Sequence, residues 1–367
     1  MPGTIPRRNN LTLIRLVLAL IVLAKHCMDS SASPVFLGVK GFFDSQDAVC
    51  IFFFISGLLV TASYERSPTL RDYAAKRLVR IFPLYLVAVI GAALILSLAS
   101  ALPAARYFTA PAFWKYIFWN ILTLNFMQRT LPGVFEGNPL NSSVNDPLWT
   151  VKTELFFYAC LPLICFVAGR IRGRGGKNLF LAALYVSSFI YRYLCRKLSV
   201  VLGLPFLFPL AMEAPGYIGA FVLGMLCFFN FGILERRLPS RLSSACFAGS
   251  LALVLLQGLG LLPRIPDSIK YLLLACICFY AAFSLRFLNE LSRMPDCSYA
   301  IYLFHYPLLQ WMISRGLFVN APWLSLCLCA ALTFVLALAV TLLEGRLRAS
   351  IGGRKHLRKQ PNIVTLP

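Results

Sequence analysis

An arginine and a histidine, Arg15 and His26, stand inside one otherwise apolar stretch, residues 10–28. At about 100° per residue the eleven positions between them leave the two side chains within about 20° of each other on a helix, about 16 Å apart along its axis. Ala19 and Val22 fall between them on the same face. A cation and an imidazole at two depths on one face suit a thin, flexible substrate, its anionic end at Arg15 and its reacting group at His26. An ionisable group inside a membrane is costly to leave unpaired and marks a functional site by default. The structural alternative stays open: Arg15 snorkels to the headgroups and His26 hydrogen-bonds a neighbouring helix.

Other groups extend the chemistry. Glu154 lies within an apolar run and needs a partner, for which Arg15 or His26 is the expected choice; Lys152, two residues away, faces elsewhere on a helix. Tyr302 and His305 are spaced i, i+3 and share a face, and Pro307 just beyond them frees carbonyls that need partners. Arg77 and Arg80 project from one side of a helix start, with Arg71 and Lys76 nearby. Such a cluster serves either as a topology anchor or as a holder of a phosphate-bearing ligand, a task for which arginine outperforms lysine. The run Phe52-Phe53-Phe54-Ile55-Ser56-Gly57 ends in a small pair that permits close helix approach, with Ser56 able to hydrogen-bond across it. Asp44 and Asp47 precede that run as helix-capping acids or as polar groups at a cavity mouth.

The elements that must position these groups are membrane spans. Of 367 residues, 59% are hydrophobic and 13% charged, and the apolar runs recur at bilayer-spanning length. The expected fold is an all-α integral membrane protein, a polytopic bundle of about ten transmembrane helices: 10–28, 46–64, 81–102, 147–169, 178–196, 215–234, 243–262, 270–288, 298–316 and 322–344. The stretch 103–146 breaks the pattern. Its apolar piece, 112–127, is too short to span comfortably and reads as a re-entrant or interfacial segment. Residues 1–345 form one transmembrane domain and 346–367 a basic cytoplasmic tail. The net charge of +21 resides mostly in short loops on one side, which fixes both termini in the cytoplasm and implies anionic lipid as a contact rather than nucleic acid. The twelve cysteines mostly sit in apolar segments without zinc-type spacing, so no metal is expected. The first apolar run lacks a small-residue cleavage site and is expected to be retained as a helix.

Five stretches in order resemble acyltransferase family 3, integral-membrane enzymes that O-acylate cell-surface glycans of the exopolysaccharide type. They are Arg15-x10-His26; Phe52 to Gly57; Lys76-Arg77-x-x-Arg80-Ile81-x-Pro83-x-Tyr85; Trp149-x4-Glu154-x2-Phe157-Tyr158; and Ser298-Tyr299-x2-Tyr302-Leu303-x-His305-x-Pro307. The resemblance implies an acyl-CoA donor in the cytoplasm, used as a co-substrate with no tightly bound cofactor, and an acceptor hydroxyl on the outer side of the inner membrane. It implies that Arg15 and His26 carry acyl transfer and that Arg77 and Arg80 face the CoA phosphates. Two positions depart from the family's pattern: Cys50 and Leu155 stand where acids are frequent.

Together these readings give an expected mechanism. Arg15, Lys76, Arg77, Arg80 and Ser56 bind acyl-CoA, whose arm runs along the Arg15–Ala19–Val22–His26 face. His26 acts as general base, or as a transient acyl carrier, with Glu154 orienting it. Tyr302, His305, Asp47 and Trp149 bind the acceptor, a glycan or lipid-linked sugar, and the thin lane makes acetyl the default acyl group, hence acetyl-CoA. The alternative is a transporter or flippase of a lipid-linked glycan in which His26, Glu154 and His305 relay protons. Oligomeric state, including a homo-oligomer, is left open.

Overall fold

A computed structural model describes residues 5–6, 8–42, 44–291 and 294–357. Among these residues fifteen α-helices run in order: α1 Leu11–Ser30, α2 Ser45–Glu65, α3 Leu70–Ile95, α4 Ala104–Thr109, α5 Pro111–Ile121, α6 Trp149–Arg170, α7 Arg174–Val201, α8 Leu207–Leu210, α9 Ala214–Phe229, α10 Phe231–Arg237, α11 Arg241–Gly258, α12 Asp267–Phe283, α13 Ser298–Ser314, α14 Leu317–Asn320 and α15 Pro322–Leu357. Among the described residues eight of these regions (α1, α2, α3, α6, α7, α9, α11 and α15) are long and apolar enough to cross a membrane. At 17 residues each, α12 and α13 fall just short of that length. All ten expected spans are therefore helical. The segment expected to be re-entrant or interfacial holds α5, whose eleven residues cover about 16 Å, roughly half a bilayer core.

The third span departs most from expectation. It starts at Leu70, eleven residues before position 81, because Thr69 caps it by accepting from the Asp72 N–H while Asp72 sits in the first turn. Lys76, Arg77 and Arg80 thus lie within the helix, beyond its first turn, rather than at its start. Helix α15 continues through residue 345 to Leu357, so the first part of the expected tail is helical; residues 358–367 lie outside the described part.

Proline chemistry ties the bundle together. Pro83, Pro162 and Pro307 stand inside α3, α6 and α13, and each lacks the N–H that would bond the carbonyl four residues back. Each orphaned carbonyl has a side-chain donor from elsewhere: Arg348 to Val79 O (2.8 Å), the Tyr73 hydroxyl to Tyr158 O (3.0 Å) and Asn145 to Leu303 O (2.8 Å). Membrane helices tolerate proline where neighbours supply such partners. The Asn145 bond belongs to a larger clasp, because Gln310 of α13 donates to Asn141 O and Ser143 O and accepts from Asn138. The loop before α6 is thereby fastened to α13.

Small residues set the closest approach. A Cβ on Gly57 of α2 would lie 1.9 Å from Phe221 O of α9, and one on Gly224 of α9 would lie 2.1 Å from Phe54 O. Gly57 therefore serves helix packing, and its neighbour Ser56 is left to face a cavity.

Candidate active site: two cavities and a histidine pair

Two cavities open on either side of one layer of side chains. The first, about 390 Å³, collects Arg15 from α1, Arg66 at the end of α2, and Arg77 and Arg80 from α3. Asp296, two residues ahead of α13, binds two of them, at 3.0 Å from Arg15 and 3.3 Å from Arg80. Burial opposes ionisation of the Asp296 carboxyl, but Arg15, the Ser298 hydroxyl and Arg80 outweigh it and hold it below the usual carboxylate range. Arg77 donates to the Ser63 hydroxyl at 3.0 Å and lies over the Tyr158 ring. The Nε atoms of Arg15 and Arg77 are both buried without a hydrogen-bond partner. Four guanidinium groups against Glu154 and Asp296, with donors unspent, form a site for an anionic ligand.

Glu154 belongs to this arginine cavity. Its carboxylate accepts from Ser56 Oγ at 3.1 Å and from the Tyr158 hydroxyl. This corrects the expectation that it orients His26. The reason is placement on α6: Glu154 faces the same cavity as Thr150, Val151 and Tyr158, whereas Trp149 and Lys152 face the other.

The second cavity, about 450 Å³, holds His26, Trp149, Tyr217 and Tyr306. His26 Nδ1 lies 2.8 Å from His305 Nε2, and the two rings are nearly parallel, at 4°. The other nitrogen of His305, Nδ1, faces two carbonyls, Tyr302 O at 2.9 Å and Ile301 O at 3.1 Å. Carbonyls only accept, so Nδ1 of His305 carries a proton. In a neutral ring Nε2 of His305 is then an acceptor, and His26 donates to it through Nδ1–H. The remaining nitrogen of His26, Nε2, keeps its lone pair, and His26 lines the cavity. That is the arrangement of an oriented general base, with a second histidine in the place a carboxylate more often fills.

Each charge lining this histidine cavity has an opposite partner, and with those partners the charges balance: Lys152 pairs with Glu213 at 2.7 Å, Arg129 lies 3.7 Å from Asp146, and Asp29 pairs with Lys25 at 2.9 Å. Trp149 and Tyr217 present neighbouring rings with centroids 5.3 Å apart. Asn125, a residue not anticipated from sequence, lines the cavity with a buried Oδ1 that has no partner.

The structure thus gathers Arg15, Arg77, Arg80, Ser56 and Glu154 at one cavity and His26 and Trp149 at the other, with His305 behind His26. Tyr302 lies between them: its ring lines the arginine cavity, and its hydroxyl donates to Pro147 O at 2.9 Å and accepts from Thr150 at 2.8 Å. Three expected ligand-binding residues line neither cavity, the first being His305, fully buried behind His26. Lys76 is exposed and donates to Ser67, and Asp47 is held by Lys270 at 2.6 Å. The expected lane along α1 is also closed, since Ala19 and Val22 are fully buried in the core and line neither cavity. The arginine cavity follows α2 instead, lined by its residues from Val49 to Ser63 and by Arg66 just past its end. Asp296 was the principal omission; as the one acid between Glu290 and Glu344, two residues ahead of the Ser298 motif, it was visible in the sequence.

Comparison with known proteins places these features in context. The profile of a family described as "Acyltransferase domain", acyltransferase family 3, matches residues 8–342. "Nodulation protein 10" of Rhizobium leguminosarum bv. viciae is 28% identical over 380 residues, covering 95% of this chain and 96% of that protein. "O-acetyl transferase" of Shigella phage Sf6 is 28% identical over 201 residues, 53% of this chain and 56% of that protein. No solved structure matches.

Proposed function

The chain belongs to acyltransferase family 3 and is a multi-pass membrane O-acyltransferase, and from that premise we propose that it moves a small acyl group, acetyl by default, from acyl-CoA to a hydroxyl of a glycan or lipid-linked sugar. The observation that carries this reading is the pairing of a cationic cavity with a charge-balanced, aromatic one that holds an oriented histidine. Phosphates of CoA bind among Arg15, Arg77 and Arg80, using the unspent Nε donors. The acceptor stacks near Trp149 in the histidine cavity.

In the transfer step His26 Nε2 takes the proton of the acceptor hydroxyl as its oxygen attacks the thioester carbonyl. The C–S bond breaks, the new C–O ester bond forms, and the proton passes from the imidazolium to the departing CoA thiolate. His305 is a positioning residue in this scheme, holding the tautomer of His26. The arginine cavity faces the cytoplasm, where the basic residues cluster, and the histidine cavity faces the acceptor side of the inner membrane. The transport reading draws no support from the geometry, because Glu154 bonds Ser56 and Tyr158 and is not joined to the histidine pair.

The test is incubation of purified wild-type and His26→Ala protein with labelled acetyl-CoA and the host's surface glycans, following label into glycan and release of free CoA. Transfer that drops by ~10²–10⁴-fold in the variant supports the assignment. Full activity in the variant removes His26 from the mechanism. No transfer and no CoA release from folded wild-type protein overturns acyl-CoA as donor.

A further inference from the structure

The two cavities come within one side-chain layer of each other. On α2, Gln46 lines the histidine cavity and Val49 the arginine cavity, three residues and about 4.5 Å apart along the axis. On α13, Tyr302 stands one turn from His305. Phe52 and Tyr302, both in the wall of the arginine cavity, meet with ring centroids 6.4 Å apart at 68°, and the Tyr302 ring lies 5.9 Å from that of His305, which contacts His26. Tyr302 is fixed: both hydrogen-bonding directions of its hydroxyl are spent on Pro147 and Thr150, and its ring is buried. Phe52 has no polar anchor, is only partly buried and lies in the cavity wall.

A thioester advancing from the arginine cavity toward His26 meets this pair, one turn of α13 from His305, with its acyl group in front. We propose that Phe52, backed by the immobile Tyr302, sets the size of the acyl group that reaches His26. The inference rests on the acyl-transfer reading of the site. A short acyl group passes beside the Phe52 ring, and a longer one must displace it against Tyr302. Phe52 acts on the donor's acyl end alone, so its truncation leaves acceptor recognition and the binding of the CoA phosphates in place.

The experiment measures kcat/KM with acetyl-, propionyl-, butyryl- and hexanoyl-CoA for wild type, Phe52→Ala and Phe52→Leu, with thermal unfolding recorded for each. Wild type should favour the shortest chains. Phe52→Ala should raise the butyryl-to-acetyl ratio at least about tenfold, the scale on which one or two methylenes are sorted by a pocket wall. Phe52→Leu should fall between, and it decides the matter should the alanine variant prove unfolded. An unchanged ratio in a folded variant, with wild type active, overturns this inference and leaves the proposed function standing. Wild-type protein that transfers no acyl group from any of the four donors overturns the proposed function as well.

Discussion

At the scale of single residues, the histidine pair makes a sharper demand than either histidine alone. His305→Ala leaves His26 Nδ1–H without its acceptor and its tautomer unspecified, so kcat should fall by roughly 10–100-fold while the KM for acyl-CoA holds, a smaller loss than in His26→Ala. Equal losses in kcat and donor affinity would place His305 in the donor site instead. Asp296 makes the complementary case. Its lowered pKa means that the pairs with Arg15 and Arg80 persist above the ordinary carboxylate range and are lost only as pH falls through the lowered value. Donor KM should accordingly show no carboxylate step across neutral pH in wild type. In Asp296→Asn the two arginines lose their counter-charge, and thermal stability should drop measurably. The ionisable residues were legible because charge inside apolar runs announces itself. Their pairings were not. His26 and His305 lie 279 positions apart, and which nitrogen meets which depends on how α1 and α13 pack. Glu154 could have faced either cavity from sequence alone, since of the residues just before it Thr150 and Val151 line one and Trp149 and Lys152 the other.

Among the helices, the three internal prolines give the clearest test of what holds the bundle. Tyr73→Phe keeps the ring and removes the donor to Tyr158 O, which should cost about 1–3 kcal/mol, read as a lower unfolding midpoint. A midpoint within error of wild type would mean that the carbonyl finds another partner. Gly57→Ala is expected to do more harm, because its Cβ meets the α9 backbone rather than a yielding side chain. Span existence was readable from apolar run length, and the short α5 from its lack of it. The start of α3 was missed because its charges suggested a loop, although Thr69 followed by Asp72 is a helix-start signal in its own right. That the arginine cavity follows α2 rather than α1 was hidden, since the Ala19 and Val22 face is small enough to suit a lane and is in fact packed shut.

For the molecule as a whole, charge is divided between the two cavities more strongly than the overall +21 conveys. Four arginines face two carboxylates at one, and the other is balanced. Raising ionic strength should therefore increase the KM for acyl-CoA while leaving that for a neutral acceptor nearly unchanged. Arg77→Ala with Arg80→Ala should raise donor KM more than it lowers kcat; an unchanged donor KM would reduce these residues to topology signals. The loop before α6 adds a mechanical property to this division. Asn138, Asn141, Ser143 and Asn145 tie it to α13 at Gln310 and at Leu303, on either side of the turn that carries His305. Loop and helix are therefore clamped together on both sides of the His305 imidazole, so a shift of the loop strains the very turn whose carbonyls, Ile301 O and Tyr302 O, hold the His305 proton.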